Sequence, residues 1–69
     1  MKIFGGQLTP AQIGAGLAVM KGQFDSLKVM NALGAAGVKN VVSGAEVLIN
    51  HELRLGRIRR VTQGIYEER

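Results

Sequence analysis

Residues 55–66 decide the fold, and they read LGRIRRVTQGIY. Two β-prone segments, residues 57–61 and 65–67, flank the three residues TQG. Three loop residues that end in glycine are typical of a β-hairpin whose last loop residue is left-handed. Gly56, just before the first β-prone segment, is a typical helix terminator. The stretch therefore predicts the end of a helix followed at once by a hairpin.

The residues before Gly56 predict a helix that is capped by Asn40 or Ser43 and ends near Leu55. With about 3.6 residues per turn, its apolar side is expected to hold Val42, Ala45, Leu48, Ile49 and Leu53. Its outward side is expected to hold Ser43, Glu46, Val47, Asn50 and Arg54.

Glu52 conflicts with this pattern, because the helical wheel places it within the apolar arc. An unpaired buried carboxylate is costly. Two alternatives follow: the helix frays before Glu52, or the carboxylate is partly buried against an arginine.

A first helix has well-marked start signals. Thr9 is a good N-cap, Pro10 occupies the first helical position, and Gln12 completes a capping box. The apolar face predicts that this helix runs through Lys21 and stops at Gly22.

A second helix is predicted over residues 25–36. Asp25 is its expected N-cap, and Gly37 is the expected residue after its C-cap. Phe24 and Val29 have the spacing of a hydrophobic staple. Because the connections next to these helices are short and contain glycine, we expect the first two helices to form a compact helical hairpin.

Glycine is frequent, with ten residues against one proline. Four glycines fall at predicted element boundaries: Gly22, Gly37, Gly56 and Gly64. Three others have no such explanation: Gly14, Gly16 and Gly44. A glycine inside a helix costs about 1 kcal/mol relative to alanine. Such a cost indicates either the close approach of another backbone or a small residue tolerated in a poor helix.

Composition narrows the function classes. The chain has 69 residues, of which 46% are hydrophobic, so we expect one small folded domain. It has no cysteine, which excludes a disulfide framework and a thiolate metal site. A formal net charge of +4 favours acidic partners. Its longest weakly polar stretch, residues 13–20, is far shorter than the roughly 20 residues of a membrane span. We also expect a cytoplasmic protein without a signal peptide.

Three helices followed by this hairpin resemble a winged helix-turn-helix DNA-binding domain. The resemblance lies in GQFD at 22–25, ALG at 32–34, and above all residues 55–66. In that family a glycine ends the recognition helix, the next strand begins the wing, and a Gly-x-Tyr returns from it. The resemblance covers about residues 9–68. It implies an α+β fold in which three helices are followed by a C-terminal β-hairpin wing. The resemblance further implies one domain over residues 9–69, preceded by an N-terminal arm over residues 1–8.

Two features depart from the family pattern. The segment over residues 34–45 is longer than the tight turn usual between the second and third helices. Glu52 stands where the family usually has a core leucine. The first departure bears on the angle of the third helix, and the second leaves room for a variant fold or for a partner of the carboxylate.

If the resemblance holds, the third helix enters a major groove and the wing contacts the backbone or the minor groove. The residues expected to bind DNA are Lys39, Asn40, Ser43, Val47, Asn50, Arg54, Arg57, Arg59, Arg60 and Gln63. Asn50 could pair with adenine and Val47 could meet a thymine methyl group. The charge pattern agrees: residues 1–56 carry five basic and three acidic groups, whereas residues 57–60 add three arginines.

Simpler interpretations stand beside these roles. An arginine-rich strand can be a solvated face or an edge that blocks aggregation. Val47 could be a core or dimer contact, and Asn50 an ordinary exposed residue. His51 has no partner at metal-ligand spacing, and residues 14–16 lack the context of a dinucleotide site. We therefore expect no catalysis, no metal and no cofactor.

The leading hypothesis is a small protein that binds double-stranded DNA, as a transcriptional regulator or architectural factor of the size found in phages and plasmids. With few phosphate contacts, it is expected to act as a homodimer or as a cooperative oligomer. The alternative is a winged-helix module that binds a protein partner without DNA, since Glu46, Glu52, Glu67 and Glu68 would repel phosphate. A membrane-active peptide is a third possibility. It is disfavoured because the basic residues cluster on the hairpin and do not stripe a helix, and no membrane partner is expected.

Overall fold

The computed structural model describes residues 8–69, which form three helices and a three-stranded antiparallel sheet. The elements follow one another as α1 (Pro10–Ala18), β1 (Gln23–Asp25), α2 (Ser26–Ala35), α3 (Val41–Leu55), β2 (Ile58–Thr62) and β3 (Ile65–Glu68). This mixed α+β arrangement is compatible with a winged helix. The predicted N-terminal arm, residues 1–8, lies outside the described residues except for Leu8, which is buried in the core.

Helix α1 starts as predicted but ends earlier. Thr9 Oγ1 accepts a hydrogen bond from the Gln12 backbone N–H at 3.2 Å, and Gln12 Oε1 accepts one from the Thr9 N–H at 3.0 Å. This capping box confirms the predicted start. The helix stops well before Lys21, so its predicted end was wrong. The helix cannot continue to Lys21 because the chain must join the sheet there. At that point Gly22 O accepts a hydrogen bond from the Glu68 N–H at 2.8 Å.

Strand β1 is an element that the sequence did not predict. It pairs antiparallel with β3 and places Phe24 opposite Tyr66, with the two rings stacked at 5.9 Å between centroids. Asp25 ends the strand and also caps α2, since its Oδ1 accepts a hydrogen bond from the Lys28 N–H at 2.9 Å. The predicted cap is therefore confirmed. Three residues are too few to display the alternation by which a strand is recognised.

Helix α3 begins and ends at its predicted caps. Asn40 Oδ1 accepts a hydrogen bond from the Ser43 N–H at 3.1 Å, so Asn40 is the N-cap and Ser43 is not. Gly56 is left-handed, with φ of 76°, and ends the helix. Residues 36–40 connect α2 to α3. This connection exceeds the three or four residues, roughly, of a helix-turn-helix turn.

The predicted hairpin is present, with a shorter loop. Thr62 belongs to β2, so only Gln63 and Gly64 separate the strands. Gly64 is left-handed, as expected, with φ of 80°. The register shifts between Arg60 and Thr62, which makes Val61 the bulged residue. The sheet order is β1-β3-β2, so β2 lies at one edge.

The core fills the space between the helices and one face of the sheet. Its most deeply buried side chains are Val29, Leu33 and Leu48, and the sheet contributes Phe24, Ile58 and Tyr66. None of the helices within residues 8–69 has the length and hydropathy that a bilayer span requires.

Two glycines that the sequence left unexplained lie where helices meet closely. A Cβ atom built on Gly16 would overlap Leu48 Cδ2 and lie 3.2 Å from Leu33 Cδ2. A Cβ atom on Gly44 would lie 3.3 Å from both Leu33 Cδ1 and Leu8 Cδ2. At these positions a side chain would displace a core leucine, so close packing accounts for the glycines.

Glu52 is 3% exposed, and α3 does not fray before it. Its Oε1 lies 3.6 Å from Arg57 Nη1, and its Oε2 accepts a hydrogen bond from His51 Nδ1 at 3.0 Å. The Arg57 backbone N–H also donates to Glu52 O at 3.1 Å. Of the two alternatives, burial against an arginine is therefore confirmed.

Candidate nucleic-acid interface

An open groove with a volume of ≈ 440 Å³ lies between α2, α3 and the hairpin. Helix α3 lines it with Val42, Glu46 and Asn50, and the sheet lines it with Arg60 and Tyr66. We call it the α3–hairpin groove. It brings Asn50 and Arg60, two of the residues predicted to contact DNA, to one surface.

The outward face of α3 agrees in part with the helical wheel. Glu46, Asn50 and Arg54 are exposed, as predicted. Ser43 and Val47 were assigned to the same face, but both are half-buried. Of these five residues, only Glu46, Asn50 and Arg54 are thus exposed.

The exposed valine of α3 is Val42, which the sequence had placed on the apolar side. Val42 is 63% exposed. Val41 takes the inward position in the first turn: it packs against the core, and its Cγ1 lies 3.5 Å from a Cβ atom built on Gly34. Successive helical residues are about 100° apart, so Val42 is turned towards solvent. Val47, expected to meet a thymine methyl group, is the less accessible of the two.

Arg60 is the hairpin arginine that faces α3. It lies opposite Tyr66 in the sheet, and its Cζ atom is 5.8 Å from the centre of the Tyr66 ring. That distance is within the range of a cation–π contact, about 6 Å. Within residues 8–69 no carboxylate lies at ion-pair distance from Arg60. Its positive charge is therefore available to an anionic partner at the groove.

Arg59 lies on the other face of the sheet, because successive side chains of a strand alternate between its faces. It stands opposite Glu67, and its Nε donates a hydrogen bond to Glu67 Oε1 at 2.8 Å. Its Nη2 donates to the same oxygen. Arg59 is thus separated from the α3–hairpin groove and has a carboxylate partner.

Arg57 precedes β2 and lies at the end of α3. Its guanidinium group is paired with the buried carboxylate of Glu52, although the Arg57 side chain itself is 62% exposed. Two of the three hairpin arginines, Arg57 and Arg59, are therefore balanced by acidic side chains. The hairpin presents less net positive charge than its sequence suggests.

A second open groove, of ≈ 430 Å³, lies at the start of α3 and includes Lys39, Asn40 and Ser43. Lys39 is exposed, whereas the Asn40 side chain is engaged as the cap of α3. Gln12 also lines this groove, and its Nε2 donates to Ala36 O at 3.2 Å. A lysine next to the N-terminus of a 15-residue helix creates a positive potential that suits a phosphate group.

The ten predicted DNA-binding residues thus fall into separate places. Asn50 and Arg60 share the α3–hairpin groove, and Gln63 lies at the exposed tip of the hairpin. Lys39, Asn40 and Ser43 share the second groove. Arg54 and Arg57 lie near the end of α3, Val47 is half-buried, and Arg59 lies on the far face of the sheet.

Of the residues that line the groove, sequence reasoning predicted only Asn50 and Arg60 as site residues; those it missed include Val42, Glu46 and Tyr66. The spacing of Val42, Glu46 and Asn50 by four residues was a readable signal that they lie along one side of a helix. Tyr66 could be placed beside Arg60 only with the register of the hairpin, which the bulge at Val61 alters.

Comparison of the chain with protein-family models, with curated proteins and with solved structures gave no match.

Proposed function

We propose that this protein is a small winged-helix protein that binds double-stranded DNA. Helix α3 would enter the major groove, and the hairpin would act as the wing along the backbone or minor groove. The observation that carries the proposal is the α3–hairpin groove, where the base-reading candidate Asn50 and the positively charged Arg60 line one open surface.

The order of the elements supports the winged-helix assignment. A glycine-terminated third helix leads directly into a two-stranded hairpin, as the family resemblance implies. Strand β1 extends that hairpin to a three-stranded sheet. The longer connection over residues 36–40 remains a departure from the usual turn.

The dimensions and chemistry of α3 suit a major groove. The groove of B-DNA is about 12 Å wide and accepts an α-helix. With 15 residues, α3 is long enough to cross it. Asn50 can donate to and accept from the edge of adenine, and Arg54 and Lys39 are exposed cations that can meet phosphates on either side.

Arg59 can contribute after exchanging its partner. Its pair with Glu67 lies at the surface, where an ion pair is worth roughly 0–1 kcal/mol, so a phosphate could replace the carboxylate. Arg57 is held by the buried Glu52 and is less easily released. So few cations suggest binding as a homodimer or as a cooperative oligomer on repeated sites.

A second candidate function is the binding of a protein partner. It is favoured by exposed apolar side chains, among them Leu27 at 58% and Val61 at 47%, and by the carboxylate of Glu46 in the α3–hairpin groove. Exposed apolar residues mark a protein interface where they form a contiguous patch. This function would use the same fold without DNA.

The test is a titration of duplex DNA at several salt concentrations. We expect affinity to fall steeply with salt, and Arg60→Gln to reduce the slope by about 1 because one phosphate contact is lost. Lys28→Gln is the matched control: Lys28 is exposed beside Phe24 and Ile65, outside the α3–hairpin groove. It removes the same charge and should leave the slope unchanged. Absent or salt-independent binding to every duplex would refute the proposal and favour the protein-binding function.

A further inference from the structure

We propose that Glu46 is a base-reading residue that selects cytosine in the target site. This inference rests on the proposed function and deepens it, because it assigns a chemical preference to the surface of α3. Glu46 lies between Val42 and Asn50 on the helix, and all three line the α3–hairpin groove. We call these three residues the α3 ridge.

The α3 ridge has the spacing of a base-reading surface. Its members are separated by four residues, which corresponds to about 6 Å along the helix axis between neighbours. The ridge therefore extends for about 12 Å, comparable to three or four base pairs at roughly 3.4 Å each. Val42 is 63% exposed, and Glu46 and Asn50 are exposed as well.

The carboxylate of Glu46 is not engaged by a cation. Within residues 8–69 no basic side chain forms an ion pair with it, although Arg60 lines the same groove. An ionised carboxylate only accepts hydrogen bonds. It is repelled by phosphates, so a position facing the bases suits it better than one facing the backbone.

Among the base edges of the major groove, cytosine and adenine both present an amino donor, but only cytosine lacks an adjacent N7 acceptor that would repel the carboxylate. Its N4 amino group is a donor, and acceptance of that bond by Glu or Asp is a recurrent pairing. Guanine presents only the acceptors N7 and O6 there, which would face the carboxylate unfavourably. Glu46 would thus both favour cytosine and reject guanine.

The neighbours of Glu46 extend the preference. Asn50 suits the N6 and N7 atoms of adenine, and the exposed methyl groups of Val42 suit the methyl group of thymine. Val42 takes the role that the sequence had suggested for Val47. The ridge therefore favours sites in which a cytosine lies between a thymine and an adenine contact.

The experiment is a selection from random DNA duplexes with the wild-type protein, Glu46→Gln and Glu68→Gln. The wild type should enrich one position in cytosine. Glu46→Gln should shift that position towards adenine, which glutamine pairs with, and the preference for cytosine should fall about tenfold. Glu68→Gln removes the same charge from an exposed residue on β3, outside the α3–hairpin groove, and should leave the site unchanged.

Three other outcomes would overturn the inference. If Glu46→Gln bound all duplexes more tightly but kept the wild-type site, the carboxylate would act only by repulsion. If the wild type bound DNA without enriching cytosine, the α3 ridge would not read the sequence, while the proposed function would stand. If the wild type bound no duplex, the proposed function would fail as well. Circular dichroism of each variant controls for folding.

Discussion

Two regions of the molecule differ in how tightly they are packed. One is the contact of α1 with the other helices, and the other is the edge strand β2. At Gly16 the core leucines leave no room for even one methyl group. In β2 only Ile58 is buried, and the four residues from Arg59 to Thr62 are exposed. The first region is therefore constrained by packing within the chain. The exposed residues of β2 have little packing around them, although Arg59 is paired with Glu67 and Arg60 contacts the Tyr66 ring.

The largest effect that would test this contrast is expected from Gly16→Ala. The added methyl group would overlap Leu48 Cδ2 and crowd Leu33. Overpacking of this kind costs about 1–3 kcal/mol, so the free energy of unfolding in urea should fall by that amount.

Gly14→Ala in the same helix is the matched control. No atom lies within 4 Å of a Cβ atom built on Gly14. Alanine should therefore stabilise the protein by about 0.5–1 kcal/mol through its higher helix propensity. A gain of stability in both variants would contradict the close packing of α1.

An intermediate effect is expected from Arg57→Gln, because Arg57 lies at the boundary between the two regions. It would leave the buried carboxylate of Glu52 with the His51 contact but without its arginine. Breaking a fully buried pair costs about 3–5 kcal/mol. Since the Arg57 side chain is exposed, we expect a loss of about 1–2 kcal/mol in the free energy of unfolding.

Arg59→Gln is the comparison for Arg57→Gln, since it removes an arginine whose partner, Glu67, is 35% exposed. Its loss should be about 0.5 kcal/mol or less. Equal losses in the two variants would show that burial of Glu52 does not distinguish the two pairs.

The smallest effects concern two adjacent valines of α3. Val41→Thr places a hydroxyl group against the core and should cost about 1 kcal/mol. Val42→Thr changes an exposed side chain and should stay within about 0.5 kcal/mol of the wild type. Thermal unfolding of both variants measures the difference. If Val42→Thr destabilised the protein more than Val41→Thr, Val42 would lie on the apolar side of α3, as the sequence alone had predicted.

Features that depend on neighbouring residues were predictable from the sequence. The caps at Thr9, Asp25 and Asn40 and the terminator Gly56 each act within one helical turn, and all are present. The misfit of Glu52 also identified a real feature, the buried carboxylate with an arginine partner.

Features that depend on distant pairing were not predictable. Strand β1 exists because residues 23–25 pair with residues 65–67, and nothing within the short segment itself indicates that pairing. The partner of each arginine on β2, Glu67 for Arg59 and Tyr66 for Arg60, likewise needed the strand register. The candidate site was therefore predicted as a set of residue types, but not as a surface.

The anchoring of the hairpin to α3 has a consequence for the thermodynamics of binding. Gly56 alone separates α3 from Arg57, whose backbone and side chain both contact Glu52. The angle between helix and hairpin is thus set during folding, and a ligand that touches both meets a preorganised surface. Little backbone entropy remains to be lost on association, so the entropy cost falls on exposed side chains such as Arg60 and on the overall motion of the two partners.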